Sequence, residues 1–132
     1  MLQFEIKGIP VPWSAHKGYG RRAFNPRFKE KEFYQWQIRS HCNREKPISG
    51  PVRLQVVYHM PIPKATSGVK RRQMLNGVLH HISRPDLSDL SEFLIEALQG
   101  IVFSSKYQIY DFHSKKIYSE ISKVVVSVDY SE

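Results

Sequence analysis

The sequence has few of the features that mark extracellular, zinc-binding or membrane proteins. Cys42 is the only cysteine among 132 residues, which excludes an internal disulfide and a cysteine-built zinc site. No apolar run approaches the roughly 18 residues that a membrane span needs. The N-terminal stretch MLQFEIKGIPVPW lacks the basic start and long apolar middle of a signal peptide. We therefore expect a cytoplasmic protein, and the absence of a glycine-rich phosphate motif argues against a P-loop enzyme.

Acidic residues are also missing from the middle of the chain. Residues 51–85 carry six Lys and Arg and no Asp or Glu, whereas residues 86–101 carry four acids and no base. The formal net charge is +8. A basic surface attracts polyanions, because each Lys or Arg near a phosphate releases condensed counterions. The pattern favours a nucleic acid as partner, and the alternative is a basic soluble protein without one.

The apolar content of 41% suits one modest core, and we expect a single domain over residues 1–132. The periodicities predict, in chain order, a strand over 4–13 that prolines break, a helix over 28–42, a strand over 52–60, a helix over 86–99, and two paired strands over 107–118 and 121–130. Residues 69–77 form either a short helix or a mobile basic loop. The spacing of Phe33, Trp36, Gln37 and Ser40 is typical of one helix face. This order predicts an α+β domain with a small mixed or antiparallel sheet packed with helices.

The stretch RPDLSDLSEFLIEALQG, from Arg84 to Gly100, is where acids recur every three or four residues. On a helix, Asp89, Glu92 and Glu96 form a stripe opposite a broad apolar face, and Asp86 falls at the helix start. One interpretation is the solvated side of an ordinary helix, with Asp86 as its N-cap. The other is a Mg²⁺ site, since Mg²⁺ prefers hard oxygen ligands and activates water for attack on phosphate. In that interpretation the four acids are the candidate catalytic residues.

Residues 81–108, HISRPDLSDLSEFLIEALQGIVFSSKYQ, resemble the signature of the RusA family of Holliday-junction resolvases without a gap. The positions that match outright are His81, Pro85, Asp86, Leu90, Ala97, Leu98, Gly100 and Gln108. The resemblance extends over nearly the whole chain. It implies a small α+β homodimer that binds four-way DNA junctions and makes Mg²⁺-dependent nicks with aspartates.

The chain departs from that signature at most of the expected acids. Asp86 matches the first aspartate and is the metal ligand that the resemblance implies. The second aspartate is replaced by Ser88, and the final aspartate pair by Ser105 and Lys106. A serine cannot supply the carboxylate charge that a hard divalent ion needs, and a lysine competes with the metal. Because the family's lysine is replaced by Glu92, we hypothesise a Glu92–Lys106 ion pair across the former site; the alternative is two independent surface substitutions.

Basic residues among aromatics in residues 16–29 can follow a DNA backbone and stack on bases. The alternative for this segment is a solvated loop. The candidate DNA-binding residues are Lys17, Arg21, Arg22, Arg27, Lys64, Lys70, Arg71, Arg72, His81 and Arg84, with His81 included because of the resemblance.

These observations predict a RusA-like homodimer that binds branched DNA in recombination or repair and whose nuclease activity is lost or weakened. Two alternatives stay open. One is an active Mg²⁺-dependent endodeoxyribonuclease with a rearranged acidic site, and the other is a protein-interaction module that no longer binds DNA.

Overall fold

A computed structural model of the protein describes residues 1–15 and 26–131, so the predicted DNA contacts at Lys17, Arg21 and Arg22 lie outside the described residues. The strands are β1 (Leu2–Lys7), β2 (Val52–Pro61), β3 (Ile109–Ser119) and β4 (Lys123–Tyr130). The helices are α1 (Phe28–His41), α2 (Gly68–Leu75) and α3 (Leu87–Leu98), and a short 3-10 turn covers Lys106–Gln108.

The four strands form one mixed sheet in the order β1-β4-β2-β3. Strand β4 is antiparallel to both β1 and β2, with Val126 opposite Phe4 on one side and Val56 on the other. Strand β3 runs parallel to β2 along the other edge. The α+β class with a mixed sheet is therefore confirmed. The first strand lies at an edge and ends at Lys7, before the prolines.

The prediction that the last two strands pair with each other is wrong. Strands joined by so short a turn usually form a hairpin, but here β2 lies between them. The burial pattern explains why β2 occupies the centre: every second residue from Val52 to Met60 is buried. No residue of strand β3 is fully buried, and the strand carries Lys115 and Lys116, which suits the edge of a sheet.

The core lies between one face of the sheet and helices α1 and α3. On α3 the buried apolar residues are Leu90, Phe93, Leu94, Ala97 and Leu98, as the helical spacing predicts. The Phe93 ring meets the Tyr34 ring of α1 edge-on, with centroids 5.0 Å apart. This contact joins the two helices and fixes the orientation of α3.

Helix α1 forms where predicted, but a different face is buried. Its buried residues are Tyr34, Gln37 and Ile38, whereas Phe33 and Trp36 face solvent, and Trp36 is 69% exposed. Gln37 explains the rotation, because its side-chain oxygen accepts from the Lys7 backbone N–H at 2.8 Å and its amide donates to the Lys7 carbonyl at 3.4 Å. A buried amide needs such partners.

The segment left open between helix and loop forms helix α2. The Ser67 hydroxyl caps it by accepting from the Lys70 backbone N–H at 3.4 Å. None of its residues is buried. An ion pair of 3.6 Å between Arg71 and Glu120 ties α2 to the turn after β3.

Candidate functional site

The start of α3 is where the sequence places the first candidate acid. Asp86 is the N-cap, and its carboxylate accepts from the Asp89 backbone N–H at 2.7 Å. The negative charge also suits the positive end of the helix dipole. At the other end, α3 stops before Gly100, whose φ of 83° is a conformation that glycine adopts readily. Both predicted helix limits are confirmed.

The three acids of the stripe do not gather around Asp86. The Asp89 backbone carbonyl accepts from the Trp13 N–H at 2.9 Å, so the N-terminal segment contacts this turn of α3. Glu92 and Glu96 lie further along the helix. Within residues 1–15 and 26–131, no group of three or more His, Cys, Asp or Glu side chains could hold a metal ion. The described residues therefore do not fit the Mg²⁺ centre that the resemblance implies.

Glu92 and Glu96 instead border a pocket of about 320 Å³ on the exposed side of α3. Its walls are Ser88, Ser91, Glu92, Ile95, Glu96, Gln99 and Lys106. It thus brings together Glu92 and Lys106, the two positions whose charges are reversed relative to the family signature. In the part of the chain that the structure describes, however, no ion pair within 4.0 Å joins them, so the hypothesised ion pair is not formed. The Lys106 ammonium lies 5.7 Å from the centre of the Tyr107 ring.

Ser105 and Lys106, which stand where the family has its final aspartate pair, make backbone hydrogen bonds with neighbouring residues. The Ser105 hydroxyl accepts from the Tyr107 N–H at 3.2 Å, and the Ser105 N–H donates to the Gln108 side chain at 2.7 Å. The Lys106 N–H donates to the Gln99 side chain at 3.0 Å. The Gln108 amide also donates to the carbonyls of Ile48 and Gly50, both at 2.8 Å. Ser105 therefore acts as a cap in a turn that leads into β3.

A buried hydroxyl pair underlies the pocket. Tyr58 of β2 and Ser91 of α3 lie 3.0 Å apart, and both are buried. Burial raises the pKa of the Tyr58 phenol, so it stays protonated. Sequence reasoning missed this pair. The available signal was Ser91, a polar residue next to Leu98 on the helical wheel and hence on the apolar side.

Apart from Arg27, the basic candidates that the structure describes lie in the segment of the chain between β2 and α3. Lys64 lies in the turn after β2, Lys70 and Arg72 on α2, and Arg84 two residues before Asp86; all four are exposed. Among the ion pairs of the described residues, none involves these four. Arg71 is paired with Glu120. We call Lys64, Lys70, Arg72 and Arg84 the basic strip.

Arg27 lies apart from the basic strip, just before α1. Its guanidinium is 3.8 Å from the Glu30 carboxylate and donates to the Ser14 hydroxyl at 3.3 Å. It is half-exposed, so a phosphate contact there would compete with these partners.

Residues 80–85 lie between α2 and α3 and are held by contacts with β3. The Lys116 ammonium donates to the carbonyls of Ser83 and Pro85, both at 2.9 Å. The His81 ring is buried, with its centre 5.1 Å from that of Tyr118. Burial, and then the charge of Lys116, lower the pKa of His81. His81 is thus turned inward and packs on β3, and the phosphate contact considered for it stays a prediction.

Sequence reasoning also missed Lys116 and Tyr118. Strand alternation puts both on the helix-bearing face of β3, but only the three-dimensional structure shows which segment they hold.

No helix of the described residues is both long and apolar enough to cross a membrane.

Comparison with known proteins supports the resemblance seen in the sequence. The sequence model of the family described as Endodeoxyribonuclease RusA matches residues 13–129. An uncharacterised protein of Bacillus subtilis (strain 168), YqaN, is 27% identical over 134 aligned positions, which cover 96% of this chain and 94% of that protein.

Proposed function

Because the chain belongs to the RusA endodeoxyribonuclease family, whose members are Holliday-junction resolvases, we propose that it binds branched, four-way DNA through the basic strip. The observation that carries this proposal is the placement of Lys64, Lys70, Arg72 and Arg84. All four face solvent on one acid-free stretch that leads directly into the helix bearing the family's matching aspartate. Unpaired exposed cations gain most from phosphate contacts, because binding releases the counterions of the DNA.

We also propose that the chain's own residues cleave DNA weakly or not at all. Metal-dependent nucleases need clustered carboxylates, and among the described residues Asp86 has no two acidic partners with which it could hold a metal ion. Ser88 supplies a neutral wall to the pocket, and Ser105 is engaged as a cap. In the family the divalent ion would activate water and stabilise the charge that develops on phosphate. The residues described here do not assemble a site for it.

The second candidate is an active nuclease that completes its site across a homodimer. The observation that favours it is that Asp86 is exposed at the matching position, so acids of a second copy have access to it. A two-fold dimer would also match the approximate two-fold symmetry of a four-way junction. Size-exclusion chromatography with light scattering measures whether the free protein is a dimer.

The test uses a labelled four-way junction and a linear duplex of the same sequence. Binding is titrated between about 50 and 200 mM salt, where phosphate contacts lose affinity steeply. The double variant Lys70→Gln/Arg72→Gln is compared with Lys7→Gln/Lys115→Gln, which removes two exposed cations from β1 and β3. The α2 variant should lower the slope of log affinity against log salt by about 1.8, at roughly 0.9 per lost contact, and the strand variant should not.

Parallel gels with Mg²⁺ or Mn²⁺ measure nicking. Salt-sensitive binding without nicks supports the proposal. Metal-dependent nicking that Asp86→Asn abolishes would establish the second candidate instead. If the protein neither binds nor nicks DNA, the proposal is wrong and an interaction with another protein becomes the better interpretation.

A further inference from the structure

We propose that Ile82 is a wedge that inserts at the branch point of the bound junction and unstacks the base pairs beside the crossover. This inference rests on the proposed junction binding. It adds the residue that makes the protein prefer a branch point over continuous duplex. The partner proposed for Ile82 is therefore branched DNA, in which base stacking is interrupted at the crossover.

The first support is the exposure of the side chain. Ile82 is 92% exposed, more than any other large apolar residue of the described chain. Removing an isoleucine side chain from water is favourable, so an almost fully exposed isoleucine is a candidate contact residue. Single exposed apolar residues are common on protein surfaces, but the backbone on both sides of Ile82 is held in place.

The residues on both sides of Ile82 are held by contacts with β3. The preceding residue, His81, is buried against Tyr118. On the other side, the Lys116 ammonium holds the carbonyls of Ser83 and Pro85. Lys116 and Tyr118 both belong to β3, so the segment is attached to a strand of the sheet at two points. A side chain held in its binding position loses less conformational freedom when it binds.

The charged residues near Ile82 in the sequence favour a polyanion as its partner. Arg84 and His80 flank it and are exposed, and Lys64, Lys70 and Arg72 lie in the same stretch without acids. The chain holds no acid from residue 51 to residue 85, and the exposed Asp86 follows at the start of α3. An apolar residue among phosphate-binding cations is how proteins insert Ile, Leu or Phe between base steps.

The position of Ile82 along the chain also suits a branch point. It lies four residues before Asp86, the residue that matches the family's first catalytic aspartate. Unstacking costs least where bases are already poorly stacked or unpaired, and base pairs at a crossover lack one continuous stacking neighbour. A wedge there opens the junction more easily than it opens duplex.

The test places 2-aminopurine, whose fluorescence rises on unstacking, in a base pair beside the crossover. Binding of the full chain should raise the fluorescence, and Ile82→Ala should remove most of that rise. Junction affinity of the variant should fall about tenfold, as expected when burial of one aliphatic side chain is lost. Affinity for linear duplex should not change. The matched control is Ile121→Ala, because Ile121 is 71% exposed in the turn between β3 and β4.

Thermal melting establishes that both variants fold, which their exposed positions favour. If Ile82→Ala binds the junction with an unchanged fluorescence rise, the wedge is overturned and junction binding stands. The same holds if Ile121→Ala removes the rise to an equal extent. If the unaltered protein binds no junction at all, the proposed function and the wedge both fail.

Discussion

Helices α3 and α2 are attached to the same sheet in opposite ways. Six residues of α3 are buried, including Phe93 and Leu94, whereas no residue of α2 is buried. Helix α2 is tied to the sheet by the Arg71–Glu120 ion pair, and the segment that follows it is held by Lys116. Apolar packing stabilises the α3 side, and polar contacts position the α2 side.

This difference separates the part of the molecule that stabilises the fold from the part that we propose for DNA binding. Buried apolar area supplies most of the free energy of folding, and it lies on the α1 and α3 side. The α2 side contributes little apolar burial, so its exposed cations and Ile82 are available for a partner. Four variants or conditions test this separation.

The largest effect is expected for Phe93→Ala. Its ring is buried and meets Tyr34 edge-on, so the substitution leaves a cavity and should lower the free energy of unfolding by about 3–5 kcal/mol. Urea denaturation measures it. Phe33→Ala, on the exposed side of α1, is the matched control and should cost about 0.5 kcal/mol or less. Equal losses would contradict the burial described here.

A smaller loss is expected for Tyr58→Phe. The change leaves the Ser91 hydroxyl buried without its partner, which should cost about 1–3 kcal/mol. Adding Ser91→Ala removes the orphaned hydroxyl, so the double variant should lose less than the sum of the two single variants. Additive losses in urea denaturation would mean that the two hydroxyls do not interact.

The pH dependence of stability tests whether His81 is buried beside Lys116 in residues 80–85. The pKa of His81 is lowered in the folded protein by burial and by Lys116, so the unfolded chain takes up a proton first as the pH falls. Thermal stability should therefore decrease as the pH drops below about 6.5, the usual pKa of histidine. His81→Phe should weaken this dependence. The pH dependence that remains in His81→Phe is assigned to His59, because burial lowers its pKa as well. An unchanged profile in His81→Phe would exclude His81 as its source.

The smallest global effect is expected for Lys116→Met. Loss of its two hydrogen bonds should loosen residues 80–85 while the core stays folded, at a cost of about 1 kcal/mol or less in global stability. Hydrogen exchange measures the local change as faster exchange in this segment. Lys115→Met, on the other face of β3, should leave that exchange unaltered. A large global loss would mean that the segment is part of the core.

Local sequence patterns predicted the elements that are defined by their own periodicity and caps. Strand β2 alternates with period two, and α3 has its cap at Asp86 and its terminating Gly100, so both were found with their buried faces. The pairing of β3 with β2 was missed, because strand partners depend on residues far apart in sequence. The buried face of α1 was missed because the Lys7 backbone that satisfies Gln37 is equally distant.

The same distinction holds for the candidate site. Spacing identified the acids and the bases, and departures from the family signature showed which ligands are missing. Spacing did not show that Glu92 and Lys106 share a pocket without pairing, or that Lys116 holds the segment of Ile82. Those are distances between side chains on different elements, which no local pattern encodes.

The position of β4 has a consequence for biosynthesis. This strand lies between β1 and β2, with Val128 opposite Leu2 and Leu54, although it is translated after every other element of the described fold. On the ribosome, β1 therefore lacks its sheet partner until residues 123–130 have emerged from the exit tunnel. Contacts so distant in sequence also slow folding. The nascent chain exposes an incomplete sheet until then, and premature termination before β4 would leave β1 without a strand to pair with.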